Sequence, residues 1–185
     1  MRIRLILFAV LICAVSASFG LASPPSGLWI DVPYVAQSAD GCGSASISMV
    51  MQYWTGKLDR KASPAAEEER IQQALFSPKE GGIPASAMQK YFAASGYRVF
   101  AFEGTWQDLR NQIEQGRPLI VSLRPSGLSE SLHYVVVAGI DPDRNYLYLN
   151  DPARQKMLRI SREGFESEWH PTHHWTLLAV PLSSE

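Results

Sequence analysis

The spacing of apolar residues predicts helices in the first half of the chain. Ile47, Val50, Met51 and Trp54 recur at the interval of one helix face after Cys42, and Gly56 marks the end of that helix. Capping residues and glycines delimit three further helices, which run from Ser63-Pro64 to about Leu75, from Ala85 to Ser95 and from Thr105 to Gly116.

The second half is predicted to form strands. One strand is expected at 97–102, and after Pro118 short runs rich in β-forming residues alternate with turn clusters such as Asp141-Pro142-Asp143. These runs are 119–123, 133–140, 146–150, 156–160 and 175–180. Helices followed by a meander of strands indicate an α+β fold, with an N-terminal helical part packed on a C-terminal antiparallel sheet.

The composition limits the possible functions. The chain has 185 residues, of which 46% are hydrophobic and 19% charged, and its formal net charge is -1. This balance excludes a disordered, collagen-like or strongly nucleic-acid-binding protein, so no nucleic-acid partner is expected.

The first residues have the pattern of a secretory signal. Arg2 and Arg4 precede an apolar run, and small residues follow it. We predict a signal peptide over residues 1–22, cut after Ala22 or alternatively after Ala17, then a linker over 23–29 and one domain over 30–182. The protein is therefore expected to be secreted or periplasmic, without a stable membrane span after cleavage. The minor alternative is an uncleaved N-terminal anchor.

Cleavage of the signal would remove Cys13 and leave Cys42 as a lone thiol in an oxidising compartment. Such a thiol is either a buried core residue or a reactive group. Cys42 stands at the predicted start of a helix, where free backbone N–H groups and the helix dipole favour a thiolate. Its small neighbours, among them Gly41 and Gly43, would let another chain approach the sulfur.

Two residues of the strand-rich half could serve this thiol. His133 begins the strand 133–140 and could act as a base, while Asp151 follows the strand 146–150. If these strands form an antiparallel hairpin, the two residues become neighbours, and the carboxylate can orient the imidazole. Gln37 precedes Cys42 by five residues and could donate its amide N–H to an oxyanion. Each residue taken alone is more simply explained as structural; the four in this order point to catalysis.

These residues lie in motifs that resemble the double-glycine leader peptidases, family 39 of the cysteine peptidases. The motifs are Val32 to Gln37, Gly41 to Ala45, His133 to Gly139 and Leu149 to Pro152. The resemblance covers about Ile30 to Pro181 and implies a papain-like fold with Cys42 as nucleophile, His133 as base, Asp151 as orienting residue and Gln37 as oxyanion donor. Ser44 departs from the pattern, because many relatives have proline there. The export signal is another departure, since the best-known relatives are cytoplasmic parts of exporters.

No metal or other cofactor is expected. The run from Asp141 to Asn145 imitates a calcium loop, but Tyr146 replaces its glycine and Pro152 replaces its bidentate glutamate. His170, His173 and His174 lack the paired spacing of structural zinc sites and are interpreted as an exposed turn.

The sequence thus predicts an exported cysteine peptidase that acts on a peptide or protein substrate. One alternative is a catalytically silent papain-like module that binds peptide or cell-wall material. A related amidase or acyltransferase is another.

Overall fold

One long helix and one antiparallel sheet organise the structure. The computed structural model describes residues 27–125 and 132–182, so the predicted signal at residues 1–22 lies outside the described residues. The helices are α1 (Cys42–Lys57), α2 (Glu68–Leu75), α3 (Ala85–Ala94), α4 (Trp106–Glu114) and α5 (Arg162–Trp169). The strands are β1 (Leu28–Trp29), β2 (Tyr97–Glu103), β3 (Leu119–Leu123), β4 (His133–Asp141), β5 (Tyr146–Asp151), β6 (Gln155–Ser161) and β7 (Trp175–Pro181).

The sheet order places the last strand in the interior. Within the described residues, the strands run β2-β7-β3-β4-β5-β6, with β1 added to β4, and every pairing is antiparallel. Leu28 and Trp29 pair with Ile140 and Gly139, so the sheet includes the last two residues of the expected linker. The irregular chain after β1 passes from the sheet to the start of α1.

Helices cover both faces of the sheet, which confirms the α+β fold class and explains the apolar strand runs. Successive residues of β3 and β4 alternate between two cores. Ile120 and Val136 pack with α1 on one face, whereas Val121 and Val135 pack with α4 and α5 on the other. A strand buried on both faces has no polar alternation, as in 119–123.

Two local predictions differ from the structure. The predicted helix over 63–75 is a 3₁₀ turn, Pro64–Ala66, followed by α2, because Glu67 between them is extended. Helix α5 was not predicted. It carries Phe165 and Trp169 one turn apart, and both are fully buried in the second core. No helix in the described part of the chain is long and apolar enough to cross a bilayer.

Candidate active site

The predicted nucleophile is the first residue of α1, and its helix packs on the strand that carries His133. Cys42 is a partly buried free thiol. The hydroxyl of Ser46, four residues along α1, donates a 3.2 Å hydrogen bond to the carbonyl of Tyr134 in β4. This bond fixes the first turn of α1 against the start of β4, where His133 lies.

The hairpin of β4 and β5 brings His133 and Asp151 together. Its register pairs Asp141 with Tyr146 near the turn and Val136 with Asn150 near the far end, so the start of β4 meets the end of β5. His133 Nε2 lies 2.8 Å from Asp151 Oδ1, and the two side chains are only 16% and 4% exposed. A charge-assisted hydrogen bond between side chains that are this deeply buried is strong, and it orients the ring.

His133 connects Asp151 to Cys42. Burial lowers the pKa of His133, but side-chain hydrogen bonds with Asp151 and with Cys42 outweigh burial and raise this pKa to about 9. Because Nε2 faces Asp151, Nδ1 is the ring nitrogen left for the sulfur. A ring with a pKa of about 9 is protonated at neutral pH and can donate a proton.

Asp151 is held in its charged form. Burial acts to raise its pKa, yet the His133 hydrogen bond and charge, the Ala153 N–H and the Arg154 charge together lower it. Ala153 N donates to Asp151 Oδ1 at 3.0 Å, and Arg154 Nε lies 3.6 Å from Oδ2. An ionised carboxylate at this point stabilises positive charge on the His133 ring.

Gln37 lies on a segment that is tied to the turn after Asp151. Its backbone N–H donates to the carbonyl of Pro152 at 3.0 Å, and the Tyr34 hydroxyl lies 3.2 Å from the Asp151 carbonyl. The side-chain oxygen of Gln37 is buried and has no hydrogen-bond partner among the described residues. An unpaired buried acceptor is costly, so this oxygen is a group that a donor, such as an N–H of a bound molecule, would satisfy.

One supporting residue, Asn150, escaped the sequence interpretation. Asn150 is fully buried; its Nδ2 donates to the Val32 carbonyl at 3.0 Å, and its Oδ1 accepts from Met157 N at 3.1 Å. It thereby joins the segment before Gln37 to the hairpin that carries Asp151. The adjacency of Asn150 to Asp151 in sequence was the only signal for this role.

The candidate metal motifs form other contacts. Arg144 donates from both its backbone N–H and its guanidinium to the Asp141 carboxylate, each at 3.1 Å. His174 Nε2 lies 3.1 Å from Glu166 Oε2 and its ring packs edge-on against Trp169. Among residues 27–125 and 132–182, no three His, Cys, Asp or Glu side chains are grouped so that they could hold a metal ion.

Comparison with known proteins identifies the family of this chain. The model of the Peptidase_C39 like family matches residues 29–176. The chain belongs to this family. The match runs from β1 into β7 and includes all four candidate residues. A search of curated proteins finds no significant match.

Solved structures similar to this family member are papain-like peptidases. A double glycine motif protease from an AMS/PCAT transporter, crystallised with the leader peptide, has a TM-score of 0.61 and 22% identity, over 83% of this chain and 94% of that one. The peptidase domain of Streptococcus ComA has a TM-score of 0.60 and 22% identity, over 80% and 97%. Digestive procathepsin L 3 of Tenebrio molitor has 0.56 and 14%, over 86% and 71%. At these identities the likeness establishes the fold.

Proposed function

We propose that this protein is an exported cysteine peptidase that hydrolyses peptide bonds with Cys42, His133, Asp151 and Gln37. The observation that carries the proposal is the 2.8 Å pairing of His133 Nε2 with Asp151 Oδ1, at a ring whose pKa is raised both by Asp151 and by Cys42. Membership of a peptidase family supports the reaction class. Export rests on the signal pattern at residues 1–22.

Acylation begins with attack of the Cys42 thiolate on the carbonyl carbon of the substrate peptide bond. The carbonyl oxygen becomes an oxyanion, to which the Cys42 backbone N–H and the Gln37 side-chain N–H donate. The His133 imidazolium then gives its proton to the amine nitrogen as the C–N bond breaks. The products of this half-reaction are a free amine and a thioester on Cys42.

Deacylation uses the neutral ring that acylation leaves. His133 takes a proton from water while the water oxygen attacks the thioester carbonyl, and the oxyanion forms again in the same place. Collapse of this intermediate releases the carboxylic acid and regenerates the thiolate, with the proton retained on His133. Asp151 stays ionised throughout and stabilises the imidazolium.

The substrate is proposed to be a peptide segment. The transporter protease among the similar structures was crystallised with a leader peptide, which supports a peptide as the ligand.

The test is a digest of a peptide library by the purified chain, with cleaved bonds identified by mass spectrometry. Wild type should cleave, Cys42→Ala and Cys42→Ser should not, and His133→Ala should lose at least about 10³-fold in kcat. His174→Ala is the matched control, since that histidine pairs with Glu166 away from the thiol, and it should retain activity. Thermal stability of the Cys42 variants should stay close to wild type.

Turnover that survives in Cys42→Ala would overturn the assignment. Absence of cleavage together with alkylation of Cys42 by iodoacetamide no faster than a model thiol would instead identify a silent binding module.

A further inference from the structure

A carboxylate on α2 connects two serines that lie on either side of the nucleophile. Glu68 Oε1 accepts hydrogen bonds from Ser38 Oγ at 3.0 Å and from Ser44 Oγ at 2.6 Å. Ser38 stands four residues before Cys42 and Ser44 two residues after it. One oxygen atom therefore bridges the loop that leads to the thiol and the first turn of α1.

The backbone inside this bridge is tightly folded. Gly41 N donates to the Ser38 carbonyl at 3.0 Å, and Ser44 Oγ also lies 2.9 Å from the Gly41 carbonyl. A Cβ atom on Gly41 would lie 2.8 Å from Ser38 Oγ and 2.9 Å from Glu68 Oε1. Ser38 and the carboxylate thus crowd the residue that precedes Cys42, so a side chain at this position would have to displace one of them.

This arrangement holds the start of α1 without using its backbone donors. The N-cap of α1 is Gly41, which makes no side-chain capping hydrogen bond. An ordinary serine or aspartate cap would accept from N–H groups of the first turn. Here the anchoring bonds come instead from serine hydroxyls that donate to Glu68.

The contact with Glu68 explains why serine is suitable at position 44. In the resemblance noted from sequence, many relatives have proline at this position, and proline fixes the first turn of a helix through its own ring. Serine has no such rigidity, but it is fully buried and supplies the hydroxyl that Glu68 accepts.

We propose that Glu68 is a positioning residue that fixes the Gln37–Cys42 loop so that the Cys42 N–H and the Gln37 amide face the oxyanion. The proposal rests on the proposed peptidase function. Glu68 itself does not touch the reacting atoms; it acts through Ser38 and Ser44.

The experiment compares Glu68→Ala with Glu68→Gln, using a peptide that wild type is found to cleave in the library digest. The alanine variant should lose about 10- to 100-fold in kcat, because displacement of catalytic groups by about 1 Å costs up to about 10². Its KM should change little, since the oxyanion forms only after binding. The glutamine variant keeps an acceptor oxygen and should retain most of the wild-type kcat.

Two further variants separate positioning from general damage. Glu69→Ala removes a neighbouring exposed glutamate that accepts from Gln73 on its own helix, and it should behave like wild type. In a Ser44→Pro background, the ring should replace the anchoring that Glu68 provides. In this background Glu68→Ala should lower kcat clearly less than it does in the protein with Ser44. Such a non-additive effect would not result from simple destabilisation.

Hydrogen exchange of the segment 38–45 supplies a readout that does not need turnover. Exchange should accelerate in Glu68→Ala and stay near wild type in Glu68→Gln. If wild type cleaves peptides but Glu68→Ala has normal kcat, or if Glu68→Gln is as slow as Glu68→Ala, the positioning role is wrong while the peptidase assignment stands. If wild type cleaves nothing, the exchange data alone decide: acceleration that glutamine prevents supports the anchoring, and unchanged exchange overturns it.

Discussion

Replacement of Asp151 by asparagine should lower the pKa at which His133 loses its proton. The His133 pKa is raised from 6.5 to about 9 against the effect of burial, with Asp151 as the first of the groups that raise it. Asparagine keeps the size of the side chain and removes the negative charge. An opposite charge at hydrogen-bond distance moves a pKa by about 1–3, so we expect the midpoint to fall by about that amount.

This change is also a change in stability. A pKa that is higher in the folded state means that protonation of His133 stabilises the fold; this contribution is complete below pH 6.5 and is lost as the pH rises through about 9. One pKa unit equals about 1.4 kcal/mol. Asp151→Asn should therefore reduce the free energy of unfolding by about 1 to 4 kcal/mol at pH 6, and the difference from wild type should shrink toward pH 10.

The assay is an NMR titration of the histidine side chains, of which the chain has 4. The His133 resonance is assigned by its disappearance in His133→Gln. Asp143→Asn, an exposed aspartate in the turn of the same hairpin, is the control and should leave the midpoint near 9. A midpoint that is the same in Asp151→Asn as in wild type would refute the electrostatic reasoning, whatever the protein hydrolyses.

Three further outcomes are expected. Gln37→Ala should lower kcat by about 10²-fold or more while Cys42 is still alkylated by iodoacetamide at close to the wild-type rate; equal slowing of both would mean that the residue holds the loop together. Asn150→Ala removes two buried hydrogen bonds and should lower the free energy of unfolding, measured in urea, by about 2–4 kcal/mol. A loss below about 0.5 kcal/mol would contradict this expectation. On one helix, Gly43→Ala should destabilise by about 1–3 kcal/mol because its Cβ would lie 2.9 Å from a buried side chain. A Cβ at Gly56 would meet open space, so Gly56→Ala should raise Tm by about 2–4 °C. A Gly43→Ala variant more stable than Gly56→Ala would contradict this reasoning.

The sequence predicted best those features that depend on neighbouring residues. Thr105 and Asp108 form the expected capping box, with Asp108 N donating to Thr105 Oγ1 at 3.1 Å and Thr105 N donating to Asp108 Oδ2 at 2.9 Å. The proximity of His133 to Asp151 followed from a hairpin with a short turn, and a hairpin's register is set locally.

Features that depend on tertiary packing were missed. Ser63 caps its 3₁₀ turn as expected, but Ala66 is buried and its carbonyl accepts from Ser48 Oγ of α1 at 2.6 Å, which accompanies the interruption before α2. Helix α5 contains Gly164, an unfavourable interior residue, and is stabilised by burial of Phe165 and Trp169. Its Ser161 cap was a usable signal.

The same limit applies to the candidate site. Cys42, His133, Asp151 and Gln37 could be selected because each belongs to a short motif of its own. The contact between Glu68 and the two serines could not, because it depends on how α2 packs against α1, and nothing in the local sequence of α2 specifies that approach.

The interior position of β7 determines when during synthesis the candidate site can be assembled. Cys42 leaves the ribosome long before the strand at Trp175–Pro181, which inserts between β2 and β3 and completes the sheet. Chains grow at about 5–20 residues per second, and pairings between distant segments form late. A nascent or truncated chain that ends before β7 therefore carries the thiol, the imidazole and the carboxylate without the completed sheet that aligns them. Such a chain should lack the alignment that the proposed activity requires until β7 has been added.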